Sequence, residues 1–160
     1  MLLEFEDQRH LTAAHGFVEL EMFRQANDEL EEIDADLRHL PEVLVARIQV
    51  FIGMKKWDLA LEIANHLCRC EPTVAEYFIS AAFCLHELKR TAEAKEKLVS
   101  GPPSLKKHWA FHYNMACYEC QLGNLELAKS FLKVAFKKNP AARAEALDDP
   151  DLEPLWSSLK

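Results

Sequence analysis

The chain has 160 residues, 49% apolar and 28% charged, which suits one globular domain able to bury a core. Its 4 glycines, Gly16, Gly53, Gly101 and Gly123, lie far apart, so a hairpin-rich all-β chain and every glycine-rich phosphate loop are excluded. The net charge of -7 speaks against a nucleic-acid binder, and it is uneven: residues 1–80 hold 16 acids against 7 bases, residues 81–160 hold 10 against 12.

The opening residues are acidic and lack an apolar run, so they read as neither a secretory signal nor a transit peptide. Helices are predicted over 8–21 and 23–38. Pro41 suits the first position of a third helix, 41–54. Its apolar stretch from Val43 to Met54 is interrupted by Arg47 and is far too short to span a membrane. A helix over 57–71 follows, then one over 74–88 opened by the capping box Thr73-x-x-Glu76. The helix over 91–100 is stopped early by Ser100-Gly101-Pro102-Pro103, since proline cannot continue it. Next come 104–122 and 124–138, with Gly123 stopping the first and Asn124 capping the second. Short helices are expected near 141–147 and 150–159, the latter with Asp149 as N-cap and Pro150 as first residue. The five cysteines are odd in number and read as reduced thiols in a cytoplasm.

These helices repeat. Stepping by 34 from Ala26 reaches Ala60, Ala94 and Ala128. The same step links Ala14, Ile48, Ala82 and Ala116, and it links Phe17, Phe51, Leu85 and Glu119. Small residues in both columns let two antiparallel helices cross closely. A helix–turn–helix period of 34 resembles the tetratricopeptide repeat. Repeat four is the best match, with Tyr113-Asn114-Met115-Ala116, Gly123, Leu125, Ala128, Leu132, Ala135 and Pro140. The second keeps Phe51, Trp57, Ala60, Leu67 and Pro72. The resemblance implies an all-α fold, a right-handed α-solenoid of antiparallel helix pairs, in a single domain. Its repeats run over about 7–40, 41–74, 75–108 and 109–142, with a C-terminal cap over 143–160.

Four departures stand out. Ile48 should push its two helices apart. Arg47 takes a column that is usually a buried leucine, so it either pairs with an acid or marks a local register error. Glu119 replaces an aromatic residue. Gly101 replaces an apolar contact, which makes repeat three the expected weak point. In the tail, Leu147, Leu152, Leu155 and Trp156 are expected to cover the last apolar face while Asp148, Asp149 and Asp151 stay in water. The alternative is a tail that folds into the groove as a pseudo-ligand.

In the repeat family the first helix of each pair lines a concave groove that holds peptides or helices. The inner columns here carry His15 and Val18; Val45, Gln49 and Ile52; Ile79, Phe83 and His86; and Tyr113, Cys117 and Cys120. One branch grips a peptide C-terminus with a clamp of lysines, an arginine and asparagines. The matching positions hold Val45, Gln49, Glu76, Ile79 and Ser80, with Asn114 alone conforming, so that clamp is absent. An apolar groove is expected instead, each fully buried anchor contributing about 1.5–3 kcal/mol.

Other chemistry is weaker. Cys117-x-x-Cys120 has the spacing of a redox or zinc pair, with His86 in a matching column, but it lies in mid-helix rather than at a helix N-terminus. His66-x-Cys68-x-Cys70 places its donors on diverging helix directions. Adjacent acids such as Glu31-Glu32 point apart, and no nucleophile elbow or His-Glu-x-x-His motif is present. The reading is therefore a cytoplasmic protein without catalytic residues, cofactor or metal, and with no nucleic-acid or membrane partner. It binds a protein or peptide as an adaptor, co-chaperone or assembly factor. The alternatives are a chaperone of an exported protein, resembling those of type III secretion, and a structural module that forms homo-oligomers through its unequally charged halves or its terminal apolar faces.

Overall fold

The computed structural model describes residues 2–160, which hold helices and turns and no strand. Four helical hairpins follow one another. They are α1 (Phe5–Glu19) with α2 (Phe23–Glu32), α3 (Pro41–Gly53) with α4 (Trp57–Cys70), α5 (Ala75–Glu87) with α6 (Thr91–Val99), and α7 (Trp109–Gln121) with α8 (Leu125–Lys138). Two short helices, α9 (Ala142–Ala146) and α10 (Trp156–Leu159), flank a 3-10 turn over Pro150–Leu155. The chain divides into two compact units, 1–70 and 71–160.

The turn inside each hairpin is the same device used four times. Glu21, Lys55, Lys89 and Gly123, each 34 residues from the last, have φ of 56°, 56°, 64° and 87°. The next amide reaches back five residues: Met22 to Phe17, Lys56 to Phe51, Arg90 to Leu85 and Asn124 to Glu119, at 2.8–2.9 Å. This is the Schellman closure, in which a left-handed residue lets the chain satisfy the last helical carbonyls. The fourth hairpin alone places glycine there; the other three put a glutamate or a lysine into a region that L-residues enter at a cost.

The two small-residue columns lie where expected. Ala26, Ala60, Ala94 and Ala128 are fully buried, as are Ala14, Ala82 and Ala116. Ile48 is also buried. In the first unit Leu11, Leu30, Ile33, Val43 and Val50 join this seam, with Phe17, Phe23 and Phe51 packed against it. Arg47 resolves as an ion pair: its guanidinium lies 2.7 Å from Glu31 Oε1 and 3.4 Å from Asn27 Oδ1.

Several local expectations need correction. Helix α1 begins at Phe5, three residues before the expected start at position 8. Helix α2 stops at Glu32 because Ile33 is extended (φ -63°, ψ 139°), and a 3-10 turn over Ala35–Leu37 follows, capped by the Asp34 carboxylate. Thr73 and Glu76 do not frame the start of α5; Val74 is its N-cap and no side chain caps it. Asn124 stands at the N-cap of α8 as expected, but its side chain makes no capping hydrogen bond; its amide donates to Glu119 Oε2 at 2.7 Å. The segment expected to open the helix over 104–122 is a 3-10 turn, Pro103–Lys107, and α7 starts at Trp109.

That turn also removes the gap expected at Gly101. A Cβ on Gly101 would fall 2.6 Å from Leu105 Cδ2 and 3.2 Å from Phe78 Cγ. Leu105, itself buried, fills the space that an apolar side chain would have taken. Glycine is thus required by close packing rather than being a hole in the stack.

Candidate functional site

Each inner triplet follows i, i+4, i+7 spacing and so forms one stripe along its helix. In the first unit, α3 carries Val45 and Ile52 half-buried and Gln49 exposed. In the second unit, α5 carries Ile79 and Phe83 half-buried and His86 buried. The α7 triplet is different. Tyr113, Cys117 and Cys120 retain only 8%, 5% and 4% of their exposure.

The C-terminal segment covers them. Asp149 caps the last 3-10 turn by accepting from Asp151 N at 3.0 Å. Its other oxygen, Oδ2, accepts from the Tyr113 hydroxyl at 2.9 Å and from the Cys117 thiol at 3.7 Å. Asp151 Oδ2 lies 2.7 Å from His86 Nε2, and Gln121 Nε2 donates to the Asp151 carbonyl at 2.8 Å. His86 Nδ1 meets the Thr91 hydroxyl at 2.9 Å, so both ring nitrogens are engaged. Leu152, Leu155 and Leu159 are buried, the Trp156 indole donates to the Ala146 carbonyl, and Arg143 donates to the Leu159 carbonyl. The aspartates expected to stay wet therefore divide. Asp148 is exposed, whereas Asp149 and Asp151 turn inward, because three protein donors await their oxygens.

The electrostatics follow from that placement. Burial pushes the Cys117 thiol well above its ordinary value, and the Asp149 and Asp151 charges push the same way. Cys120 is raised for the same reasons, and Tyr113 by burial and then by its bond to Asp149. The hydrogen bond from His86 holds the Asp151 carboxyl below the usual range. These thiols are protonated at neutral pH, the opposite of what a redox pair needs. Nor does the structure group Cys117, Cys120 and His86 as the spacing suggested. It brings Cys117 within 4.8 Å of one oxygen from each of Asp149 and Asp151, and each of these groups is already engaged by a neighbour. His66 and Cys70 meet at 3.5 Å on an exposed face of α4, one turn apart.

A second buried polar group explains a departure from the repeat pattern. Glu119 is 1% exposed, and its Oε1 lies 2.6 Å from Lys95 Nζ on α6. Burial would raise its carboxyl, but the bonds from Lys95 and Asn124 hold it below the usual value. An ion pair with an amide takes the place of the aromatic contact.

No protein-family model and no curated protein matches the chain. A solved structure described as "MamA MSR-1 C2" superposes with a TM-score of 0.67 at 19% identity, covering 86% of this chain and 79% of its own. The fold is a tetratricopeptide-repeat fold. Among the described residues, no helix is long and apolar enough to cross a membrane.

Sequence reasoning named Asp149 and Asp151 only as cap and solvated residues, and did not single out Gln121 or Thr91. One signal was available for two of them. An N-cap aspartate uses one carboxylate oxygen, and the other must find a donor if the turn is packed down by Leu152 and Leu155.

Proposed function

We propose that this chain is a non-enzymatic protein-interaction module that holds a peptide or helix of a partner protein against the first helices of its repeats, in the manner of an adaptor, co-chaperone or assembly factor. The observation that carries this reading is that each unit by itself presents half-buried apolar side chains on a first helix, Val45 and Ile52 on α3 in the first and Ile79 and Phe83 on α5 in the second. Apolar side chains on one stripe of a helix, at i and i+7 on α3 and at i and i+4 on α5, suit the anchors of a bound helix or extended segment. A partner that buries them gains about 1.5–3 kcal/mol per anchor. The acidic excess of residues 1–80 favours a segment with basic flanks there, mainly through encounter rate and specificity.

The test is photo-crosslinking from positions 52 and 83 in cells of the source organism, paired with Ile52→Ala and Phe83→Ala. The expected result is a crosslinked partner at these positions and its loss from affinity purification with the variants, at unchanged circular dichroism. Undiminished capture by both variants puts the site elsewhere. The rival, self-association through unequally charged halves, is separated by light scattering at low and high salt, since screening would dissolve it.

A further inference from the structure

We infer that the first-helix face of the second unit is a receptor for an acidic segment with two aspartates one residue apart followed by leucines, and that residues 149–159 are its internal occupant. This rests on the proposed interaction role and names the partner chemistry for one part of that face.

Two carboxylates are read separately. Asp149 is held by Tyr113 and Cys117 of α7, and Asp151 by His86 of α5, while Gln121 holds the Asp151 backbone. The receiving groups stand in the inner columns of the repeat or one position beyond, on α5 and α7, which pair with α6 and α8. What they grip is no long helix. The segment is two short turns, Pro150–Leu155 and Trp156–Leu159, whose only 3-10 cap is Asp149 itself. Leu152 and Leu155 supply its apolar anchors. With the segment lifted away, the Tyr113 hydroxyl and the Cys117 thiol lose the acceptor that the structure gives them. An external segment that restores the aspartates restores those bonds. The spacing needed is Asp-x-Asp-Leu-x-x-Leu, as in Asp149, Asp151, Leu152 and Leu155. The tethered tail competes at high effective concentration, so the intact chain binds such a segment weakly until its own is displaced.

The experiment uses a fluorescein-labelled peptide of residues 147–160. It also uses a second peptide that keeps only the Asp-x-Asp-Leu-x-x-Leu positions, with alanine elsewhere. Both are titrated into the intact chain and into a chain carrying a protease site after Asp148, cut after folding so that every contact is present at the start. Both peptides are expected to exchange into the cut chain at least tenfold more tightly than into the intact one. Asp149→Asn with Asp151→Asn in the peptide should lose at least tenfold. A cut chain that keeps its helicity but takes up neither peptide overturns the inference, as does equal binding of the aspartate-free peptide. Concentration-dependent dimers of the intact chain formed by exchanged tails also overturn it, since the occupant would then be a second copy. Failure here together with partner capture that still depends on Phe83 removes this inference and leaves the proposed function standing; loss of both removes both.

Discussion

Two stripes in equivalent columns behave differently. Val45, Gln49 and Ile52 on α3 stand 68 residues before Tyr113, Cys117 and Cys120 on α7, two repeats apart. The α3 stripe is half-buried at Val45 and Ile52 and exposed at Gln49, while the α7 stripe is buried under the C-terminal segment. The neighbouring column differs too, with half-buried Phe51 in α3 and buried Glu119 in α7. Repeat position thus assigns a face to a residue but not its exposure. Exposure depends on what else folds onto that face.

The comparison can be broken most strongly by loosening the tail. Leu152→Ala removes a fully buried side chain, and a loss of about 2–5 kcal/mol is expected in urea unfolding. Below the transition, Cys117 and Cys120 should label faster with a thiol reagent, so that the α7 stripe comes to resemble the open α3 stripe. Unchanged labelling in a clearly destabilised variant would mean that the tail does not shield them.

A smaller effect is expected from the polar substitute in the Phe51 column. Lys95→Ala leaves Glu119 buried with only the Asn124 amide. Lys95 is itself partly exposed, so the expected loss is about 1–3 kcal/mol rather than that of a fully buried pair. Adding Glu119→Gln should restore most of it, measured as a double-mutant cycle. Additive losses would show that the two groups are not coupled.

The turns sharpen the likeness between the repeats. Gly123→Ala should cost about 1 kcal/mol, and Lys55→Gly should gain a similar amount, because the same left-handed φ is asked of both positions. Thermal melts check the opposite signs; shifts of the same sign would refute the shared turn.

The smallest expected effect is on acidification. The Asp151 carboxyl lies below its unfolded value because His86 donates to it. A depressed folded value means that its contribution is complete above the unfolded aspartate pKa of about 3.9 and is lost as the pH falls through the lower folded one. Emission of Trp156 in the tail, recorded with Trp57 and Trp109 replaced by phenylalanine, should shift in that window in the parent. The shift should vanish in Asp151→Asn. An identical profile in both would assign the acid response to other carboxylates.

Much of the fold is legible in the sequence because its cause is local. An unbroken alanine column at 34-residue spacing requires helix crossings at that spacing, and those alanines are all fully buried. Pro41 and Asp149-Pro150 open their elements as capping chemistry demands. Where two local signals compete, reading becomes harder. Asn124 could turn its side-chain oxygen to the first amides of α8, yet its side chain is instead oriented by the Nδ2 bond to the buried Glu119 carboxylate. Leu105 could continue a helix, yet the prolines before it impose a 3-10 turn that drives it beside Gly101.

The repeat and its hairpins can be read from the sequence, because helical periodicity and close helix crossing are written at short range. Tertiary structure alone decided which stripes stay open. Asp151 meets His86 across 65 positions, and Asp149 meets Tyr113 and Cys117 across 36 and 32. No local pattern pairs donors and acceptors over such separations; the pairing follows when buried leucines carry the tail to a face where unsatisfied donors would otherwise remain.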